Sequence, residues 1–491
     1  MTSTLLGFVL IYLVVSIGIG VYAATRVHNA RDYITAGRSL PMFIVIAMVF
    51  ATWFGAETVL GIPGTFLDEN LGGTISDPFG AALCLVLFGL VFARPLYRLG
   101  LLTLGDFYRQ RFNRPVEVAM SLAIAVSYLG WVSAQVTALG LVFNVISEGM
   151  ISQDQGIILG AAVVMIYTLF GGMWSVALTT VVQMTVIVIG LLWISYFVAD
   201  MPEVNGIAPV IAHAHAAGKF EFWPDAHWAA IVTFIAGLLT MGFGSIPQQD
   251  VFQRANASRN ENIAVWGTTI GGVAYFAFAA VPLYLTYAAT LVDPVMSEAL
   301  MAEDAQLVLP TFVATHLPIA AQVLFFGALL SVIMSTASGT LLAPSVTISE
   351  NILRPYLSEK QLSDSHFLWI TRAVVGLFAV LVTVYSLWAL EAQMTIHHMV
   401  ESAYKVTLAT AFVPLVAGLF WRRANNTGAG LSITLGFVVW MGMEFLAPEA
   451  ALPPQFAGFI ASIVGMLAGT LLSGSSVQPR GDRALESAPT G

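Results

Sequence analysis

About thirteen apolar segments, each close to 20 residues long, follow one another along this chain with only short polar loops between them. A helix of that length spans the hydrocarbon core of a bilayer, where no water is available to satisfy an unfolded backbone. We therefore predict an all-α polytopic membrane protein with spans near residues 5–24, 41–66, 78–97, 116–147, 155–172, 176–199, 227–247, 262–290, 317–347, 367–389, 397–421, 428–446 and 455–473.

The composition supports a membrane protein and argues against a soluble or a nucleic-acid-binding protein. Hydrophobic residues make up 58% of the chain and charged residues only 10%, which is far more apolar than a soluble core requires. The net charge of −9 gives no indication of a nucleic-acid partner. Cys84 is the single cysteine, so no intramolecular disulfide forms.

The signs of the loop charges alternate along the chain. The intervening loops are acidic, and we assign to them Asp68, Glu69, Asp77, Asp293, Glu298, Glu303 and Asp304. Every second loop is basic, with Arg26, Arg31, Arg38, Arg94, Arg98, Arg109, Arg111, Arg114, Arg254, Arg259, Arg354, Lys360, Arg372, Arg422, Arg423, Arg480 and Arg483. Because basic loops stay in the cytoplasm, we predict that the N-terminus lies outside and the C-terminus inside, as an odd number of spans requires.

Two of the predicted spans are interrupted by helix-breaking residues. The segment 37–66 carries Gly55 and a Gly-Ile-Pro-Gly run at 61–64, and the segment 241–247 reads Met-Gly-Phe-Gly-Ser-Ile-Pro. Backbone freed from helical bonding survives at membrane depth only where protein buries it or where it lines a polar cavity. The breaks fall in the second and seventh spans, the spacing of an inverted five-plus-five repeat whose interrupted helices form a binding site.

A third polar feature lies at residues 332–340, where Ser335, Thr336, Ser338 and Thr340 fall inside an apolar helix. Such hydroxyls often bond to the preceding turn of their own helix or join neighbouring helices. A cluster of hydroxyls beside an unwound helix also offers the oxygen ligands that a hard cation prefers. Both interpretations remain open from the residues alone.

The chain resembles the sodium/solute symporter family of sodium-coupled proline, sugar and choline carriers. The resemblance rests on motifs in the family's order along most of the core: 37–40 (GRSL), 51–53 (ATW), 61–64 (GIPG), 171–176 (GGMWSV), 253–254 (QR) and 334–336 (MST). It implies a LeuT-type fold with thirteen or more helices. It also implies sodium as the coupling ion, bound by the carbonyls of Ala51, Phe54 and Val332 and by the hydroxyls of Ser335 and Thr336.

Within the family the chain is most similar to the high-affinity choline carriers. Trp53 and Trp131 match two tryptophans of an aromatic cage, whereas Ala81 and Gln248 replace two other aromatic positions of that cage. Thr180 stands where many relatives carry an aspartate associated with additional cation coupling, so the resemblance does not extend to that second cation.

Glu57 is an ionisable residue inside an apolar span, where facing lipid would cost about 3 kcal/mol, so we expect it to face the interior. It either offsets the positive end of the second half-helix or contacts a substrate cation. Gln248 and Gln249 add hydrogen-bonding groups on the second broken helix, which suits a cargo more polar than choline. The predicted substrate-binding set is Trp53, Glu57, Trp131, Gln135, Gln248 and Gln249.

These features together predict a symporter of the cytoplasmic membrane that uses sodium to import a small ammonium-bearing or zwitterionic solute, such as a choline-like compound, a betaine or proline, by alternating access. A carboxylate or sugar carrier and a solute sensor without net transport remain alternatives. An intramembrane enzyme built on His397, His398 or Ser402 would need a catalytic motif that the sequence does not show. The oligomeric state is left open.

We predict the following organisation. Residues 1–36 form an extra helix and cytoplasmic loop, 37–200 the first five-helix repeat, 201–226 an external loop, 227–421 the second repeat, 422–473 two extra helices and 474–491 a disordered cytoplasmic tail.

Overall fold

The computed structural model describes residues 2–357 and 364–473, and in these ranges the chain is built from helices. Besides a short helix at Ala30–Thr35, they are α1 (Thr2–Ala23), α2 (Met42–Trp53), α3 (Glu57–Gly73), α4 (Ile75–Arg98), α5 (Leu104–Arg111), α6 (Arg114–Ile146), α7 (Gln153–Ala199), α8 (Ile207–Ala216), α9 (Trp228–Gly244), α10 (Gln249–Asn256), α11 (Glu261–Val292), α12 (Pro294–Glu303), α13 (Val308–His316), α14 (Ile319–Tyr356), α15 (Asp364–Glu391), α16 (Ile396–Thr410), α17 (Phe412–Phe420), α18 (Asn426–Leu446) and α19 (Pro454–Leu472).

Many of these helices are long and apolar enough to cross a bilayer. Among the described residues, 8 helices qualify alone, and the number rises to 11 if each of three bent helix pairs is one span. Shorter apolar helices lie at Gly7–Ala23, Gln153–Ile166 and Ile207–Ala216. The all-helical polytopic architecture is therefore confirmed, whereas the count of thirteen and the orientation stay predictions. The predicted tail, 474–491, lies outside the described residues.

The first predicted break is present beside Gly55, one of its two expected positions, and not at the Gly-Ile-Pro-Gly run. The helices α2 and α3 meet at an angle of 55°, and the backbone leaves the helical conformation at Phe54, where ψ is 74°. The glycines of the Gly-Ile-Pro-Gly run stay helical because they serve close packing. A Cβ on Gly61 would lie 3.2 Å from the backbone nitrogen of His397, and one on Gly64 would lie 3.2 Å from that of Gln306.

The second predicted break lies within its expected segment. The helices α9 and α10 are bent by 44° around residues 245–248. A Cβ on Gly244, the last residue of α9, would lie 2.6 Å from the carbonyl oxygen of Tyr404, so this glycine lets α9 approach α16 closely. A third bend, of 46°, separates α16 from α17 inside the segment that the sequence predicts as one span.

The core of the bundle is centred on α14 and α6. Residues 328–347 of α14 are buried without interruption, and so are residues 130–143 of α6. The helix α14 packs against α6, α7 and α2, while α18 and α19 pack mainly on each other. The first broken helix therefore lies against the two most buried helices of the protein.

The structure corrects the location that we predicted for Asp77. We assigned this residue to an acidic loop, but it lies in the first turn of α4 and its side chain is fully buried. The hydroxyl of Tyr275, on α11, donates a hydrogen bond to Oδ1 of Asp77. A tertiary partner on a distant helix accounts for the burial, and such a partner leaves no signal in local sequence.

Candidate functional site

The predicted sodium ligands converge where α2 ends against α14. The hydroxyls of Ser335 and Thr336 donate to the carbonyl oxygen of Ala51 at 3.2 and 3.0 Å. Ala51 lies in the last turn of α2, whose carbonyls lose their intrahelical partners because the helix stops at Trp53. Phe54 follows that end directly, and Val332 is buried one turn before Thr336. Neutral oxygens from two helices thus meet here, which fits a monovalent hard cation.

Three aromatic side chains form a buried cluster beside this point. The ring centroids of Trp53 and Trp131 lie 5.2 Å apart, and Tyr404 lies 5.5 Å from each of them. Tyr128 stacks on Trp131 at 5.9 Å. We name Trp53, Trp131 and Tyr404 the aromatic triad. Each of the three side chains is 0% exposed, so the broken helix, α6 and α16 enclose their rings completely.

Glu57 lies at the start of α3, where it faces α6. Its Oε2 accepts a hydrogen bond of 2.7 Å from Nε2 of Gln135, and Oε1 of Gln135 accepts one of 2.9 Å from the backbone N–H of Ala56. Gln135 follows Trp131 by one helical turn, and Trp131 lies beside Glu57. The structure therefore brings together Trp53, Glu57, Trp131 and Gln135, four of the six residues predicted to bind the substrate.

Several polar atoms of this region are buried without a hydrogen-bond partner. They are the indole nitrogens of Trp53 and Trp131, the hydroxyl of Tyr404 and Oε1 of Glu57. Buried polar groups in proteins are normally satisfied, and exceptions call for an explanation such as a ligand. Three donors and one carboxylate oxygen around aromatic rings can receive a small solute that has a cationic head and acceptor groups.

Gln248 and Gln249, the two glutamines of the second broken helix that were predicted to bind the substrate, are hydrogen-bonded to other parts of the protein. Gln248 is buried, but its amide nitrogen lies 2.9 Å from Ser127 Oγ and 3.5 Å from Thr407 Oγ1, so it joins α6 to α16. Gln249 accepts from the N–H of Leu104 at 2.9 Å and donates to the carbonyl of Leu102 at 3.2 Å. Both ends of the Gln249 amide are thus used by the backbone before α5, and the structure does not bring it to the aromatic triad.

The structure also shows residues that the sequence analysis missed. Thr58 donates to the carbonyl of Trp53 at 2.9 Å and lies 3.5 Å from the hydroxyl of Tyr275, which in turn donates to Asp77. This chain of groups connects the unwound segment to α11 and α4. The sequence analysis did not single out Tyr404, because an aromatic residue in an apolar helix carries no distinguishing signal.

A buried ion pair fixes the second broken helix. Arg254 Nη1 lies 3.2 Å from Asp250 Oδ2, and the two side chains are almost fully buried. The hydroxyl of Tyr128, in contact with Trp131, donates to Oδ1 of Asp250. Breaking a buried pair leaves an uncompensated charge, so α10 is strongly held in place.

A polar network closes one end of the bundle. Asn351, near the end of α14, donates to Asp106 Oδ1 at 2.9 Å and to Glu117 Oε1 at 3.1 Å. Arg114 Nη1 lies 2.7 Å from Glu117 Oε2. These contacts join α14 to α5 and α6 at the end that the basic residues predict to be cytoplasmic.

This arrangement of two broken helices around a buried site defines a helical membrane transporter. The model of the sodium:solute symporter family matches residues 33–436, and the chain belongs to that family. The protein is a sodium-coupled solute symporter with several membrane spans, and sodium is its coupling ion.

Similar proteins include carriers of different solutes. The high affinity choline transporter 1 of Homo sapiens is 26% identical over 453 residues, covering 87% of this chain and 74% of that protein. The osmoregulated proline transporter OpuE of Bacillus subtilis (strain 168) is 25% identical over 497 residues, covering 96% of this chain and 94% of that protein.

Solved structures show the same fold. A Na+-coupled sialic acid symporter, in its substrate-bound outward-open state, superimposes with a TM-score of 0.79 at 21% identity, covering 99% of this chain and 98% of that one. Mhp1, a nucleobase-cation-symport-1 family transporter, has a TM-score of 0.58 at 15% identity, with 92% and 98% covered. The LeuT-type fold is thereby supported at the level of overall architecture.

Proposed function

We propose that the cargo is a small solute with an ammonium group, either cationic or zwitterionic, and that the aromatic triad and Glu57 bind it. The observation that carries the proposal is the buried triad itself, with Oε1 of Glu57 left without a partner beside it. An aromatic face attracts a desolvated cation by about 2 kcal/mol, and a nearby carboxylate adds Coulombic attraction. A neutral sugar would leave this carboxylate unpaired.

The remaining members of the proposed site have separate roles. Gln135 orients Glu57 and the backbone at Ala56, while the indole nitrogens and the Tyr404 hydroxyl provide donors for acceptor groups of the cargo. Gln248 holds α6 against α16 near the site, and Gln249 holds the segment before α5. The similar carriers of choline and proline both transport ammonium-bearing solutes, which supports this proposal.

The sodium site is proposed at the carbonyls of Ala51, Phe54 and Val332 and the hydroxyls of Ser335 and Thr336. It is supported by the convergence of both hydroxyls on the Ala51 carbonyl. Since Ala51 and Trp53 belong to the same last turn of α2, sodium and cargo would bind to one unwound segment. Alternating access then follows when the broken helices move relative to α14 and open one end of the site at a time.

The finer architecture is part of the same proposal. It has thirteen spans in the cell membrane, with the N-terminus outside and the C-terminus inside. Residues 37–200 and 227–421 form inverted repeats, with an extra helix before them in 1–36, an external loop at 201–226 and two extra helices in 422–473. The two bent pairs in the second and seventh predicted spans support the inverted repeat.

A thermal-shift screen of the purified full-length protein tests the cargo class. The panel is choline, glycine betaine, proline, glucose and a small carboxylate, each with sodium and with potassium in its place. A binder stabilises the folded state by mass action, by about 2.7 kcal/mol at a hundredfold excess over its Kd. We expect an ammonium compound to raise the Tm in sodium only. Stabilisation by glucose or the carboxylate alone contradicts the proposal.

Trp53→Ala and Trp131→Ala locate the binding site. Each variant removes one face of the triad, so we expect the sodium-dependent shift given by the ammonium compound to disappear. Trp223→Ala is the matched control because that tryptophan is exposed. Retention of full affinity in both triad variants would exclude the triad as the cargo site.

A further inference from the structure

Asp77 is a buried carboxylate that the function described above does not use. Its side chain is 0% exposed, and while Oδ1 accepts from Tyr275, Oδ2 has no hydrogen-bond partner. An isolated carboxylate in the membrane interior is costly, so such residues mark ion or substrate pathways. A cation bound beside this carboxylate, or a proton on it, would remove that cost.

Three other buried carboxylates of the described chain have a positively charged partner, whereas Glu57 does not. Asp250 pairs with Arg254 at 3.2 Å, Glu117 with Arg114 at 2.7 Å, and Glu350 with Arg354 at 2.6 Å. Among the ion pairs of the described residues, none includes Asp77 or Glu57.

The oxygens around Asp77 are arranged as ligands. Tyr275 gives its only hydroxyl proton to Asp77, and Thr58 gives its own to the carbonyl of Trp53 at 2.9 Å. The two hydroxyl oxygens lie 3.5 Å apart, at the limit of a hydrogen bond in which either could be the donor. Two oxygens that bind one hard cation at about 2.4 Å, at right angles to each other, lie about 3.4 Å apart. The spacing therefore matches a pair of ligands of one cation.

We propose that Asp77, Tyr275 and Thr58 bind a second sodium ion, separate from the one at Ala51, Ser335 and Thr336. The first sodium is surrounded by neutral oxygens, whereas the second neutralises the carboxylate of Asp77. The proposal rests on sodium coupling and not on the class of cargo.

The two ions would act on the same stretch of backbone from opposite sides. Ser335 and Thr336 bind the carbonyl of Ala51, and Thr58 binds the carbonyl of Trp53. Both carbonyls belong to the turn where α2 ends. Occupation of both sites would thus hold the unwound segment between α14 on one side and α11 with α4 on the other.

Equilibrium binding of 22Na+ to the purified full-length protein, without cargo, tests the proposal. We expect two sodium ions per molecule in the parent protein and one in Asp77→Asn. Tyr275→Phe keeps the ring and removes one ligand oxygen, so we expect the affinity of one of the two ions to fall at least fivefold. Thr58→Val should act in the same direction. Asp225→Asn is the control, because this carboxylate is exposed.

The result of the sodium-binding experiment does not depend on which solute the protein carries. If Asp77→Asn binds as many sodium ions as the parent, with the same affinities, Asp77 holds a proton or no ion and the proposal is wrong. If Asp77→Asn does not fold, Tyr275→Phe and Thr58→Val decide the matter, and unchanged sodium binding in both overturns the site. Loss of one ion in Ser335→Ala together with loss of a different one in Asp77→Asn supports two sites.

Discussion

The side-chain amide of Gln135 holds the carboxylate of Glu57 at 2.7 Å while its carbonyl oxygen accepts the N–H of Ala56 at 2.9 Å. A single residue of α6 thus fixes both the charged side chain and the backbone that begins α3. The carboxylate is oriented by a neutral partner, and this contact brings no opposite charge to it.

The charge of Glu57 should decide the affinity for ammonium compounds. Glu57→Gln keeps the size of the side chain and an acceptor for Gln135 but removes the charge. We expect the affinity for the ammonium compound that stabilises the parent to fall at least tenfold, or about 1.4 kcal/mol. Binding is measured by isothermal titration calorimetry in sodium. Glu303→Gln, an exposed carboxamide on α12, serves as control, and equal affinities in all three proteins would rule out contact between Glu57 and the cargo.

Ser335→Ala and Thr336→Ala should weaken sodium activation of transport. Each substitution deletes one oxygen from the proposed first sodium site, so the sodium concentration for half-maximal uptake in proteoliposomes should rise several-fold. Thr340→Ala is a close control, because this hydroxyl bonds to carbonyls of its own helix at Thr336 and Ala337. Phe54→Ala should have a smaller effect, since the proposed ligand there is a carbonyl. Unchanged sodium dependence in both hydroxyl variants would refute the assignment.

Gly339 should be intolerant of a methyl group. A Cβ at this position of α14 would meet the guanidinium of Arg254, which is buried and paired with Asp250. Overpacking of this kind costs about 1–3 kcal/mol, so Gly339→Ala should lower the Tm by several degrees. Gly327→Ala tests the same substitution in the same helix at a place where nothing lies within 4 Å. Equal Tm values for the two variants would show that the guanidinium moves without cost.

Cysteine labelling tests the proposed orientation. Glu298 on α12 and Arg423 after α17 are exposed, and the native Cys84 is buried, so background labelling should be low. In intact cells an impermeant maleimide should modify Glu298→Cys and leave Arg423→Cys unmodified until the membrane is permeabilised. The reverse pattern would invert the topology.

The sequence predicted the broken helices because glycine and proline interrupt an otherwise uniform apolar pattern. Of the two places predicted for the first break, the one at Gly55 agrees with the structure, in which the backbone leaves the helix at Phe54 and Gly55. The other was wrong because Gly61 and Gly64 serve close contact with His397 and Gln306, and a glycine looks the same in either role. The position of the break depends on the groups of α6 and α14 that satisfy the freed backbone.

The candidate site was predicted where a residue is unusual in a membrane helix, as for Glu57, or where family motifs mark it, as for Ser335. Gln249 shows the limit of that reasoning. A glutamine on a broken helix suits a cargo site, but which way it faces is set by the backbone of Leu102 and Leu104, more than 140 positions away in the chain. Asp77 was missed for the same reason, since its partner Tyr275 lies on a distant helix.

The carbonyl of Ala51 and the ring of Trp53 belong to a single turn at the end of α2. A ligand that orders this turn reduces the entropy that a second ligand must lose in order to bind. The coupling between sodium and cargo is then a property of one short peptide and needs no relay across the protein. It is also reciprocal: the factor by which sodium increases affinity for the cargo equals the factor by which the cargo increases affinity for sodium.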